Sequence, residues 1–326
     1  MILKIAFIYQ LSFNALHFIL IMPFIIEQDF LKVGLLYLAA AFPSFLFTVP
    51  VNKYFENTSI KMTLLGSAFF SFLIIFLLVY DFSYIGILIV LGCRSLVGSV
   101  FVPKLAQYVG FQKKGQRDVD VFVLQLILFL PGLLGYVIAL ALNQFNIVFY
   151  MVAFEFFLIV MLAFFLKSEQ PTQFKRLKKV KSFFIFDNFI FFEMILITFL
   201  TYISLFYLVP LIAVFKNTSI FFVFVSFLIQ LILVALLQKR IVNLSLTWLF
   251  GLSFCFLIGS FFLPQSVVYS SIIFGFVLVN FFIQAQHYWH NRVPIQTQSY
   301  FFSQRLVVTN CPKFIMCVIP TLTYFF

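Results

Sequence analysis

Residues 92–109 read GCRSLVGSVFVPKLAQYV. The stretch suits a membrane-crossing helix, yet Arg94 stands near its start and Pro103 lies inside it. A charge at the centre of a membrane helix costs about 2.5–3.5 kcal/mol on insertion scales, so such a residue is normally turned to a cavity or a partner. Two readings of Arg94 follow. In one, it lines a central cavity, where it binds an anionic group or tunes a nearby proton site. In the other, it sits inside a helix bundle, paired with carbonyls or a carboxylate.

The composition makes lipid the solvent for most of the chain. Of 326 residues, 64% are hydrophobic and 10% charged, against about 45–50% and about 25% in soluble domains. No soluble fold covers that much apolar surface with so few polar groups. The 53 Phe residues have a bland explanation in T-rich codons and a sharper one in an aromatic-lined path. Composition does not separate them. Cys93, Cys255, Cys311 and Cys317 lie in apolar stretches without C-x-x-C spacing, which suggests buried free thiols rather than a zinc site or a disulfide framework. The first apolar run is too long for a signal-peptide core and reads as an uncleaved helix.

Working outward from residue 92, stretches of about 20 apolar residues give eleven expected spans: 4–26, 31–51, 61–80, 83–107, 119–142, 146–166, 189–214, 218–238, 244–263, 267–288 and 301–324. The fold class expected is all-α, a polytopic membrane protein. A basic linker at 167–182, KSEQPTQFKRLKKVKS, separates a six-helix bundle at 1–166 from a five-helix bundle at 183–326. With the N-terminus in the cytoplasm, 17 of the 21 Lys and Arg fall on the cytoplasmic side. Lys32 and Lys216 fall outside, and Arg94 and Lys313 lie within spans. This asymmetry sets the orientation. It also accounts for the net charge of +11 without a nucleic-acid partner. The expected location is the inner (cytoplasmic) membrane.

The two bundles share a faint repeat. SFNALHFILIMPFII at 12–26 pairs with FLTYISLFYLVPLIA at 199–213, and PVNKYFEN at 50–57 with LQKRIVNL at 237–244. GSAFFSFLI at 66–74 pairs with GLSFCFLI at 251–258, and VFVLQLILFLPGLLG at 121–135 with YFFSQRLVVTNCPKF at 300–314. The matches keep their order at offsets of about 180–187 residues. Two parallel repeats about an axis along the membrane normal are the plan of a rocking transporter.

The opening stretch, extended to GCRSLVGSVFVPKLAQYVGFQKKGQRDVDVFVLQLILFLPGLLGYVIA, resembles helices four and five of the major facilitator superfamily. Arg94, Gly98, Pro103, Ala106, Gly115, Arg117, Pro131, Gly132 and Gly135 carry the resemblance. It implies two bundles rocking about a central site. One departure is the loop after the second span. It reads VPVNKYFENTSIK where the superfamily usually has G-x-x-x-D-R-x-G-R-R. Lys53 and Lys61 keep positive charge, Asn52 replaces the acidic residue, and Glu56 is its possible substitute. The other departure is the absence of a twelfth span, which suits either a shortened member or a truncated chain.

Polar residues within the spans supply the candidate site. Gln10, Asn14 and His17 share a face of the first helix at i, i+4 and i+7, pointing either to a cavity or to interhelical hydrogen bonds. His17 titrates near neutral pH. Glu155, in MVAFEFFLIVML, is the first candidate to exchange proton for substrate, with pairing to Arg94 as the rival reading. Gln125, Thr201, Gln230 and Asn280 are further cavity candidates. Glu155, Arg94 and His17 form the proton-coupling set. Gly98, Pro103, Pro131, Gly132, Gly135, Lys53 and Glu56 form the packing and gating set. The PGLLG run resembles a pattern associated with proton-linked exporters, and packing explains it equally well.

No enzyme motif is present: no G-x-S-x-G, phosphate loop or H-E-x-x-H. The expectation is a non-enzyme that needs neither cofactor nor ATP. The expected protein is a secondary transporter, monomeric in the bilayer, moving a small organic molecule by alternating access. Proton-coupled export is the preferred mode, and proton-coupled uptake of a nutrient or metal chelate the second. A non-transporting sensor or scaffold is the alternative class.

Overall fold

A computed structural model of the chain describes residues 2–27, 29–55, 58–80, 82–110 and 147–165, with short pieces at 130–131, 134–135 and 137–138 and the single residue 229. All its regular structure there is helical. The helices are α1 (Ile2–Ile26), α2 (Phe30–Tyr54), α3 (Ile60–Tyr80), α4 (Tyr84–Gly110) and α5 (Ile147–Phe165). They correspond to the first four and the sixth expected spans, with ends moved by at most three residues. The first four are long and apolar enough to cross a membrane. The linker at 167–182 and the spans of the second bundle lie outside the described residues.

Small polar residues share the interior with apolar ones, and large apolar residues face outward. On α3, Thr63, Ser67 and Ser71 recur every four residues and are buried, while Phe69, Phe70, Leu73 and Leu77 are exposed. In lipid, burial of apolar side chains gives helices no reason to associate. Close contact between small residues and interhelical hydrogen bonds does. Phe42, Phe45, Phe156 and Phe164 also face outward, whereas Phe13 and Phe101 pack on polar groups in the interior.

The α2–α4 seam shows the same rule. Gly92 sits where an added Cβ would stand 3.6 Å from the Ala39 carbonyl oxygen and 3.7 Å from Pro43. Ser44 Oγ donates to the Ser95 carbonyl at 2.7 Å and also meets the Ser95 hydroxyl. Thr48 bonds back to the Ser44 carbonyl. Asn52 Nδ2 donates to the carbonyls of Thr48 and Ser99, each at 2.7 Å. Contacts climb both helices together, from Tyr84 on the Lys32 carbonyl to Asn52 on Ser99, so α2 and α4 run parallel. That is what successive crossings joined by short turns require. The structure thus gives Asn52 a local task, tying the end of α2 to α4. Lys53 follows it in the last turn of α2, and Glu56 lies outside the described residues.

The start of α2 is capped by Asp29, whose carboxylate accepts from the Lys32 backbone N–H at 3.2 Å and pairs with Lys32 Nζ at 2.6 Å. The hydrogen bond from the Lys32 side chain holds the Asp29 carboxyl below its ordinary value. A lowered carboxylate pKa stabilises the fold above the unfolded value, about 3.9, and that contribution is lost as the pH falls through the folded value. Asp29→Ala is therefore expected to loosen the first turn of α2 by about 0.5–1 kcal/mol at neutral pH, and the loss should shrink as the pH falls through the lowered value of the folded state. Amide hydrogen exchange in that turn measures it.

Candidate functional site

Arg94 sits where α1, α4 and α5 meet. Arg94 of α4 is 2% exposed and Glu155 of α5 is fully buried. Arg94 Nη2 donates to Glu155 Oε1 at 3.3 Å. This is longer than the 2.7–2.9 Å usual for a charge-assisted bond, so the pair is loose and single-pronged. Ser12 of α1 donates its hydroxyl to the same Oε1 at 2.8 Å. The guanidinium carbon lies 4.4 Å from the centroid of the Phe13 ring. That is a cation–π contact worth about 2 kcal/mol when water is excluded.

A second layer fixes α1 against α3. The Tyr9 hydroxyl meets Ser71 Oγ at 2.8 Å and reaches the Ser67 carbonyl at 3.4 Å. The Tyr9 ring packs on Phe101 of α4 with centroids 4.8 Å apart. Tyr9, Ser12 and Phe13 therefore form the working side of α1. Among the described residues, Arg94 Nε, Arg94 Nη1 and Glu155 Oε2 are buried without a hydrogen-bond partner. Buried polar atoms are nearly always satisfied, so each unsatisfied one needs an explanation such as water, an ion or a functional role.

The candidates from the sequence divide accordingly. Arg94 and Glu155 come together. Gln10, Asn14 and His17 do not join them. Asn14 Nδ2 donates to the Gln10 carbonyl at 2.8 Å and to its side-chain oxygen at 3.3 Å, so these two are tied along α1 itself. The His17 ring lies 6.4 Å from that of Tyr37 on α2. At 3.6 residues per turn it is about 140° around α1 from Ser12. Pro103 is buried within α4, and a Cβ on Gly98 would stand 3.6 Å from Phe13.

Gly135 has a sharper role. A Cβ there would lie 2.6 Å from the backbone N of Ala15 and 2.9 Å from its Cα. The segment around Gly135 therefore rests directly on the backbone of α1. Pro131, four residues earlier in the chain, is buried. Gly132, Gln125, Thr201, Gln230 and Asn280 lie outside the described residues or have side chains that do.

Ser12 and Tyr9 were missed in the sequence. The available signal was a hydroxyl every third residue in an otherwise apolar helix, at positions 9 and 12. Among the described residues, no group of three His, Cys, Asp or Glu gathers as a metal site.

No protein-family model and no curated protein sequence matches the chain. Solved structures do. The chain is similar to the crystal structure of the human organic anion transporter MFSD10 (TETRAN), with a TM-score of 0.73 at 11% identity, over 99% of this chain and 93% of that one. It is also similar to a bacterial homologue of the iron transporter ferroportin, in an outward-facing state with soaked iron. There the TM-score is 0.66 at 15% identity, over 98% of this chain and 91% of that one. Likeness of this extent at such low identity is a likeness of fold, and both neighbours are polytopic membrane proteins. The chain therefore shares the fold of these two transporter structures.

Proposed function

We propose that the chain is a secondary transporter that moves a small organic solute across the membrane by alternating access. Glu155 carries a proton, and Arg94 receives an anionic group of the solute. The observation that supports this most directly is the buried, loosely made Arg94–Glu155 pair, three of whose polar atoms have no partner among the described residues. A purely structural ion pair in so dry a place needs its remaining hydrogen bonds satisfied to repay desolvation. This pair leaves them open for a third participant. The two structural neighbours, one of them an organic anion transporter, agree in class.

Charge balance bears on direction. Arginine is a permanent cation. When Glu155 is ionised the pair is neutral. When Glu155 takes a proton, Arg94 is left without its counter-ion, and an anion restores neutrality. Proton and anion therefore favour each other's presence and travel the same way. Where the proton gradient points inward, that is uptake. The PGLLG run, which favoured export, has a packing explanation at Gly135. A cationic solute would instead compete with the proton, which is the logic of export by exchange.

The test compares cells expressing the wild-type chain with cells expressing Arg94→Lys at matched membrane levels. Lysine keeps a positive charge beside Glu155 but loses the planar fork. The expected result is proton-dependent accumulation of one or more organic anions with the wild type, reduced at least tenfold by Arg94→Lys. Equal accumulation in the two strains across carboxylates, sulfonates and phosphate esters would remove Arg94 from solute binding. Depletion of a cationic compound by the wild type alone would establish export instead.

A further inference from the structure

We infer that Ser12 is a positioning residue that selects which oxygen of Glu155 takes the proton. The inference rests on the proposal that Glu155 is the proton carrier, and it goes further by naming the atom and the group that selects it. Ser12 Oγ and Arg94 Nη2 both donate to Oε1, at 2.8 and 3.3 Å. Oε2 is buried and has no partner among the described residues. A proton on Oε1 would have to displace one of those two donors. A proton on Oε2 displaces nothing, and leaves C=Oε1 to accept both bonds.

The other groups around the carboxyl support this assignment. Among the described residues, the titratable side chains acting on Glu155 or on its neighbour Tyr9 are Arg94 from α4 and Tyr9 from α1. The Tyr9 hydroxyl is committed to Ser71 Oγ and the Ser67 carbonyl on α3, so it is not a donor to Oε2. From its own helix, Met151 lies one turn before Glu155, and its sulfur is within 3.8 Å of Ser12 Oγ. It offers only a weak acceptor for the Ser12 hydroxyl. When Oε2 is protonated, its O–H is a donor with no acceptor in this set, and an anionic solute held by Arg94 Nε or Nη1 would supply one. Ser12 thus keeps Glu155 turned so that its changing oxygen, rather than its fixed one, meets the solute.

The experiment uses the full chain in lipid nanodiscs and infrared difference spectra between alkaline and acid pH, recorded with benzoate as the probe anion. The protonated Glu155 band is assigned by its loss in Glu155→Gln. In the wild type its C=O stretch should lie low, because Oε1 accepts two hydrogen bonds. Ser12→Ala should shift it to higher wavenumber, and Ser12→Thr, which keeps the hydroxyl, should return it. A Glu155 band that Ser12→Ala leaves in place would overturn the assignment while leaving Glu155 as the proton carrier. Absence of any Glu155 band in the folded wild type at acid pH would overturn both the assignment and the proton-carrying reading. Thermal stability of each variant identifies any shift that comes from misfolding alone.

Discussion

Arg94→Leu should destabilise the protein by about 3–4 kcal/mol at neutral pH, the lower part of the usual cost of breaking a buried ion pair from one side. The double change Arg94→Met with Glu155→Leu should recover most of that loss. Both side chains are essentially inaccessible, so removing one leaves an uncompensated charge in a place without water. The two single variants should differ in their response to pH. A carboxyl of ordinary affinity, near 4.3, pays about 3.7 kcal/mol to stay protonated at pH 7. That figure is close to a ceiling for Arg94→Leu, because Glu155 can escape by neutralising itself, and the cost should shrink in acid. Arginine has no such escape. Glu155→Leu should therefore cost at least as much as Arg94→Leu and show no relief at low pH. Denaturant titration in mixed micelles, at about pH 5 and about pH 8, measures both. Equal and pH-independent costs for the two variants would mean that the pair is not a charge pair.

Gly135→Val should be the most damaging glycine substitution among the described residues. The Cβ position is 2.6 Å from Ala15 N and 3.1 Å from Asn14 C, all backbone, so no side chain can swing away to relieve the contact. The two segments would have to separate, at the 1–3 kcal/mol typical of overpacking, with the larger valine adding to it. The disturbance would reach Ser12 and Phe13, one turn before Ala15, and so the Arg94–Glu155 pair. Gly66→Ala is the natural contrast. Nothing lies within 4 Å of its Cβ position, and alanine is favoured over glycine in a helix by about 0.8–1 kcal/mol. It should be neutral or stabilising. Melting temperatures of the two variants in the same detergent decide it, and comparable losses would contradict the close approach at Gly135.

The helices themselves were legible because their cause is local. A run of about 20 apolar residues has few alternatives in lipid, where every backbone group must be satisfied within its own helix. α1 to α4 and α5 fall on their expected spans for that reason. Arg94 and Glu155 were legible as special because a charge in such a run is costly wherever it points. Which groups surround them was not. Ser12 and Glu155 are 143 residues apart, and nothing in a uniformly apolar helix says which of its sides faces a neighbour. The amide stripe Gln10–Asn14–His17 was the more visible pattern, yet Asn14 spends its hydrogen bonds on Gln10. The side that meets Glu155 carries only small or aromatic hydroxyls. In the loop motif Asn52 stands where the superfamily has an acidic residue. Its tie to the Ser99 carbonyl depends on α2 and α4 running parallel in contact, which no single segment reveals.

The most direct test of the transport account avoids a misfolding artefact. Cells expressing the wild-type chain are compared with cells expressing Arg94→Gln/Glu155→Gln, which removes both charges together and keeps close to the original volume. Accumulation of labelled organic anions is followed with and without an imposed inward proton gradient. The account predicts gradient-driven accumulation of at least one anion by the wild type and none above background by the double variant, at equal membrane abundance. Identical accumulation in both strains across the panel, whatever the gradient, would contradict it.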